Sequence, residues 1–161
     1  MGVGTLKGYR LTFTGSSGGW GGAVATVKPS EGSEVPGAVY SLTDPDDVRR
    51  LDAAEGFPFA YDCVSVEVKL TSGEDVAVWC YVKNDTREGQ PSSEYLKTIA
   101  VGLREHGLPV EHLADALVAL PADAPAAGRP VVKRKRHPAG RTKQPRKRGT
   151  KRGTKRGTKK A

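Results

Sequence analysis

The amino-acid sequence predicts an α+β fold: a strand-rich domain with three helices and a curled or barrel-like sheet, followed by a disordered basic tail. Three observations carry that prediction. Alternating apolar and polar runs recur through the first half of the chain, the period of half-buried strands. Helix start and stop signals bracket three further segments. The charge is also divided: 16 of the 26 Lys and Arg residues fall in 129–161, which has no acid. Residues 1–128 keep the other 10 against all 18 Asp and Glu, a net of −8 beside a tail of +16.

Residues 9–14 alternate as a short strand. Residues 15–22, GSSGGWGG, form a loop rich enough in glycine to bring backbone close to a neighbour or a ligand. Strands are predicted at 23–28 and 35–42, separated by a turn at 29–33. Pro36 lies near the start of the second, where a missing N–H costs least.

The first helix is well signalled. Asp44 caps it, Pro45 suits the first helical position, Asp46 and Asp47 complement its positive end, and Gly56 stops it. Val48, Leu51, Ala54 and Glu55 lie along one stripe. A hairpin follows. Val64, Val66, Val68 and Leu70 alternate with Ser65, Glu67 and Lys69, and Ser72-Gly73 supplies the turn. Residues 75–83 return with Val76, Val78, Cys80 and Val82 on one face, and Trp79 and Tyr81 on the other. Cover on both faces implies a sheet that curls toward a barrel.

A second helix is predicted from Ser92 or Ser93 to His106, burying Leu96, Ile99 and Leu103 and ending at Gly107 and Pro109. A third, over 110–120, turns Leu113 and Leu117 inward. Order is predicted to stop near Leu120, giving a domain of 1–120 and an appendage of 121–161. The appendage opens with a Pro/Ala/Gly linker and continues as a Lys/Arg-rich tail ending GTKRGTKRGTKK. Such a tail attracts nucleic acid or another polyanion nonspecifically, through salt-dependent charge, and has no aromatic residue to stack on a base.

Composition excludes several classes. No run reaches the ~20 apolar residues that span a bilayer, and no export signal opens the chain, so a cytoplasmic location is expected. Two cysteines, Cys63 and Cys80, are too few for a disulfide scaffold or a thiolate zinc site. Both sit in strand-like runs and are expected to be buried and reduced. The glycine loop lacks the Lys-Ser or Lys-Thr of a phosphate loop. His106 and His112 fall near helix ends, and His137 lies in the tail.

Glu55 stands out among the acids. It closes LDAAE at the C-terminal end of a helix, among apolar neighbours, where the dipole and desolvation both favour a carboxylate basic enough for proton transfer. The alternative is a solvated last-turn glutamate. Tyr61 begins the long strand after the Glu55 loop, and Tyr95 lies in the first turn of the second helix. Phenols so placed combine packing with a hydrogen bond. Trp20 either roofs a pocket or anchors the glycine loop.

The run from Tyr9 through GSSGGWGGAVATV to LDAAEG resembles the gamma-glutamylcyclotransferase, or AIG2-like, family. The likeness continues through YDCVSVEVKL, DVAVWCYVKN and PSSEYLKTIAVGLREHGLPVEHL, covering nearly the whole folded part. It implies a small mixed β-barrel with flanking helices. The implied reaction converts a gamma-glutamyl amine or amino acid to 5-oxoproline and the free amine, without metal or cofactor. It further implies Glu55 as catalytic residue, with Tyr61, Tyr95, Trp20, Gly21 and Gly22 around the substrate. Family members usually open on a strand leading into Tyr-Gly-Ser-Asn, which holds the glutamyl group. This chain begins MGVGTLKGY and enters the pattern after that motif. Two expectations stand: the motif lies upstream of Met1, or the chain is a relative impaired in glutamyl binding that serves as a binding module. Within residues 1–161 the first strand and following helix are expected to be missing, which leaves a gap in the barrel and an exposed edge.

Overall fold

The computed structural model describes residues 2–128; the basic tail lies outside the described residues. Seven elements follow in order: β1 (Gly2–Ser17), β2 (Gly22–Val39), α1 (Pro45–Glu55), β3 (Tyr61–Leu70), β4 (Asp75–Lys83), α2 (Ser93–Glu105) and α3 (Glu111–Val118). The four strands form one sheet in the order β2-β1-β3-β4, every pair antiparallel.

The α+β fold is as expected, with an all-antiparallel sheet that is a barrel only in a loose sense. β1 meets β3 only over Gly4–Leu70, Thr5–Lys69 and Leu6–Val68. Curling still brings the two edge strands together at one point, where the Lys83 N–H donates to Thr26 Oγ1 at 3.0 Å. That contact uses a side chain instead of a ladder, so the sheet is open.

β1 is longer than the predicted 9–14 because it starts on glycines that propensity counts against a strand. Gly4 is required there: a Cβ would sit 2.7 Å from the Lys69 carbonyl oxygen and from Val68 Cγ1. The two strands predicted at 23–28 and 35–42 are one, β2. The turn expected between them is an outward bulge, with Gly8 (φ 76) on β1 opposite Ser30, Glu31, Gly32 and Ser33. Gly32 (φ 74) and a 2.8 Å contact between the Ser30 and Ser33 hydroxyls shape the bulge, and the ladder resumes beyond it. Pro36 is accommodated because β2 is an edge strand.

The sheet has two packed faces. Phe13 and Ala23 turn toward α2 and α3, where they meet Leu113, Ala116 and Leu120, with Leu96, Ile99 and Leu103 packed around. The second cluster gathers Leu6, Val66 and Val68 with Val64, Val76, Val78 and Cys80. The predicted caps are present. Asp44 accepts from the Asp46 N–H at 2.9 Å, Gly56 adopts φ 73, and Ser92 accepts from the Tyr95 N–H.

Three expectations of burial change. No residue of α1 is fully buried, since the helix rests on the sheet without entering the core. Cys63 and Cys80 are free but only half-buried. Tyr81 is covered by α1, whereas Trp79 is 67% exposed. The chain also stays on the domain past Leu120: the Gln90 N–H donates to the Pro125 carbonyl at 2.8 Å, and Ala124 joins the Phe13 cluster. Among the described residues, no helix is long and apolar enough to cross a membrane.

Candidate active site

Alternation along the β3–β4 hairpin decides what faces α1. Tyr61 pairs with Lys83 and Cys63 with Tyr81, so these four share the face opposite the valine cluster. The last turn of α1 lies on that face. The Tyr81 hydroxyl donates to Asp52 Oδ1 at 2.5 Å, and Glu55 follows one turn later.

Glu55 is half-buried, and its charge is among the lesser causes that raise the pKa of Tyr61, Tyr95 and Tyr81, which puts its carboxylate within electrostatic reach of these phenols. Tyr61 is pushed up to about 12, by burial first and then by the charges of Glu55 and Tyr95. Tyr95 is raised by burial and by Glu55, against a hydrogen bond from the Ala25 N–H that lowers it. Tyr81 is raised chiefly by its bond to Asp52, then by burial. All three phenols are therefore protonated at neutral pH. Tyr95 Oη accepts from Ala25 at 3.1 Å, which leaves its own proton to donate elsewhere. Lys83 Nζ stands 4.4 Å from the centre of the Tyr61 ring.

Trp20, 38% exposed, lies against Tyr95 with ring centroids 4.8 Å apart. Its loop is pinned at both ends. Gly21 (φ 74) donates to the Ser17 carbonyl at 2.7 Å, and a Cβ on Gly22 would sit 2.7 Å from the Gln90 carbonyl oxygen. Gly21 and Gly22 line a cavity of about 390 Å³ with Glu88, Gln90 and Pro125. A larger groove, about 930 Å³, runs beside α1 along Tyr40, Leu42, Val48, Leu51 and Trp79. None of Glu55, Tyr61 or Tyr95 lines it, so its size does not mark the chemistry.

The structure thus sets Trp20 beside Tyr95 and leaves Glu55 within electrostatic reach of Tyr61 and Tyr95. Gly21 and Gly22 shape the adjoining loop by close backbone approach. Sequence reasoning missed Asp52, Tyr81 and Asn84. Asn84 holds the loop after Glu55, donating from Nδ2 to the Pro58 carbonyl at 2.9 Å and from its backbone to Ala60 at 3.2 Å. The Asp-x-x-Glu spacing on α1 was the available signal for Asp52; its partner 29 residues away had none. Among the described residues, no three His, Cys, Asp or Glu side chains group to hold a metal ion.

The class this defines is a small α+β domain with a half-buried carboxylate, Glu55, near protonated phenols, an arrangement suited to moving protons and stabilising an oxyanion. A family model described as "Gamma-glutamyl cyclotransferase, AIG2-like" matches residues 1–98. The human gamma-glutamylcyclotransferase is 31% identical over 115 residues, covering 68% of this chain, and the mouse one is 30% identical over the same span. A solved structure titled "Gamma-glutamyl cyclotransferase" has a TM-score of 0.67 at 28% identity, covering 75% of this chain and 73% of that one. The chain belongs to the gamma-glutamylcyclotransferase, AIG2-like family. It spans 61% of the length of those two curated relatives.

Proposed function

We propose that the protein cyclises a gamma-glutamyl amine or gamma-glutamyl amino acid to 5-oxoproline, releasing the free amine, with Glu55 as the proton carrier. The observation that carries this reading is a half-buried Glu55 that ends α1 one turn past the Asp52 held by Tyr81, within electrostatic reach of Tyr61 and Tyr95, in a member of this family. The substrate's α-amine nitrogen attacks its own γ-carbonyl carbon, a new C–N bond closes the five-membered lactam, and the bond to the departing amine breaks. Nucleophile and electrophile share one molecule, so the protein's work is to hold a cyclising conformer and relay protons. Glu55 takes a proton from the α-ammonium and passes one to the departing nitrogen. Tyr61 and Tyr95, neutral and half-buried, are suited to donate to the developing oxyanion. Trp20, tilted against Tyr95, walls the substrate, and the backbone of Gly21 and Gly22 borders it. Free Cys63 and Cys80 fit a reducing, cytoplasmic setting.

The test is release of 5-oxoproline from a panel of gamma-glutamyl dipeptides and gamma-glutamyl amines. The reading expects turnover of at least one member of the panel; a folded protein that turns over none contradicts it. A second reading rests on the +16 tail: a binding module that reaches nucleic acid or another polyanion. Truncation after residue 128 separates the two. Loss of low-salt retention on DNA with turnover intact makes the tail an accessory to the enzyme.

A further inference from the structure

We infer that Tyr81 and Asp52 form a positioning pair that fixes where Glu55 stands, an inference resting on Glu55 as the proton carrier. No α1 residue is fully buried, so deep core packing does not fix the helix on the sheet. The ion pairs of Arg49 and Arg50 run to Asp44, Asp46 and Asp47, within the helix and its own cap. They stiffen its first turns without tying it to a strand.

Asp52 is where α1 is bonded to the sheet. Its Oδ1 accepts from the Tyr81 hydroxyl at 2.5 Å, and Tyr81 is anchored in the ladder opposite Cys63. Its backbone carbonyl also accepts the N–H groups of Gly56 and Phe57, the two residues that follow Glu55. One residue therefore holds the catalytic turn from both sides: its side chain reaches β4, and its carbonyl closes the chain around Glu55. Asn84, three residues beyond Tyr81, fastens the following loop at Pro58 and Ala60. Glu55 lies between these two anchors of β4 and its exit.

A carboxylate relaying a proton inside a cyclising substrate needs its place fixed closely, and misplacement by an ångström costs rate more than binding. Neither Tyr81 nor Asp52 need touch substrate for this. The pair acts through Glu55.

The experiment compares the full chain with Tyr81→Phe, Asp52→Ala, Asp52→Asn, Tyr81→Phe/Asp52→Ala and Glu55→Gln, using a turned-over member of the gamma-glutamyl panel and a thermal melt of each. The pair predicts a loss of at least tenfold in kcat for Tyr81→Phe and Asp52→Ala, with KM within about twofold. The double variant falls no further than the worse single. Asp52→Asn, which keeps an oxygen to accept the Tyr81 hydroxyl, recovers to within about threefold of the parent. Tyr81→Phe within twofold of the parent in kcat, while Glu55→Gln is inactive, overturns the pair and leaves the reaction standing. Parent-like turnover in Glu55→Gln instead overturns the proton-carrier reading beneath it. Amide exchange measured by NMR needs no substrate: Gly56 and Phe57 should exchange at least tenfold faster in Tyr81→Phe, and unchanged protection sinks the pair.

Discussion

Three glycines of the Trp20 loop should respond differently to alanine, because the structure gives each a different surrounding. At Gly22 an added Cβ would lie 2.7 Å from the Gln90 carbonyl oxygen, 3.0 Å from the Ser92 nitrogen and 3.1 Å from Ala127 Cβ. The first two are backbone atoms, so no rotamer change relieves the clash. Gln90 is held on one side by the Ala23 N–H and on the other by Pro125, and Ser92 caps α2. Forcing these apart is overpacking, worth about 2 kcal/mol, or roughly 8 °C in Tm for a domain of this size. Because Ser92 sets the first turn of α2, Tyr95 moves with it. KM for a gamma-glutamyl substrate should therefore rise as well. Gly21 has φ 74, so alanine there costs about 1 kcal/mol of backbone strain. Gly18 has open space at its Cβ, and alanine should leave Tm within about 2 °C of the parent. Circular-dichroism melts of the three variants test the ordering. Equal Tm for Gly22→Ala and Gly18→Ala would refute the close-approach argument.

Two more predictions concern stability. Glu88 loses solvation, but hydrogen bonds from Arg10, Lys28 and Thr12 outweigh that and hold its pKa below the usual carboxylate value of 4.5. A lowered folded pKa means its stabilisation is complete above the unfolded value and fades as pH falls through the folded one. Glu88→Gln should thus cost about 1–3 kcal/mol at pH 7 and progressively less as the pH is taken below 4.5, read as Tm differences across pH. An equal deficit at every pH would exclude the ion pairs as its source. Phe13 is fully buried between β1 and the helices, and Phe13→Ala should cost about 3–5 kcal/mol in urea unfolding.

The parts of the fold legible in the sequence were those written in local chemistry. Asp44, Pro45 and Gly56 bracket α1 by capping, and the valine alternation of β3 and β4 sets their faces without reference to anything distant. What misled was local chemistry overridden by pairing. Gly2, Gly4 and Gly8 argue against a strand, yet β1 takes them because Gly4 must approach β3 and Gly8 must serve a bulge. The residues at 29–33 do turn, but β1 captures the chain again on the far side, which a single strand's pattern cannot reveal. Closure of the sheet depends on what lies between distant strands, and alternation alone overestimated it.

The site shows the same division. The sequence marks Glu55 by its helix end, and Tyr61 and Tyr95 by their places at element starts. That the three come within electrostatic reach depends on α1 lying across β3 and β4 while α2 reaches the edge of β2, where Tyr95 takes the Ala25 N–H. In the sequence Tyr81 shows only as the second face of a strand. Its bond to Asp52 joins a helix and a strand 29 residues apart and leaves no periodic trace.

The central claim is that Glu55 moves the protons of a lactam-forming reaction. Its most direct test is 5-oxoproline release by the parent and by Glu55→Gln, at matched concentration and with both melts recorded. The account predicts at least a thousandfold loss of kcat in a variant that melts within about 2 °C of the parent. Glu55→Gln releasing 5-oxoproline at the parent rate would contradict it.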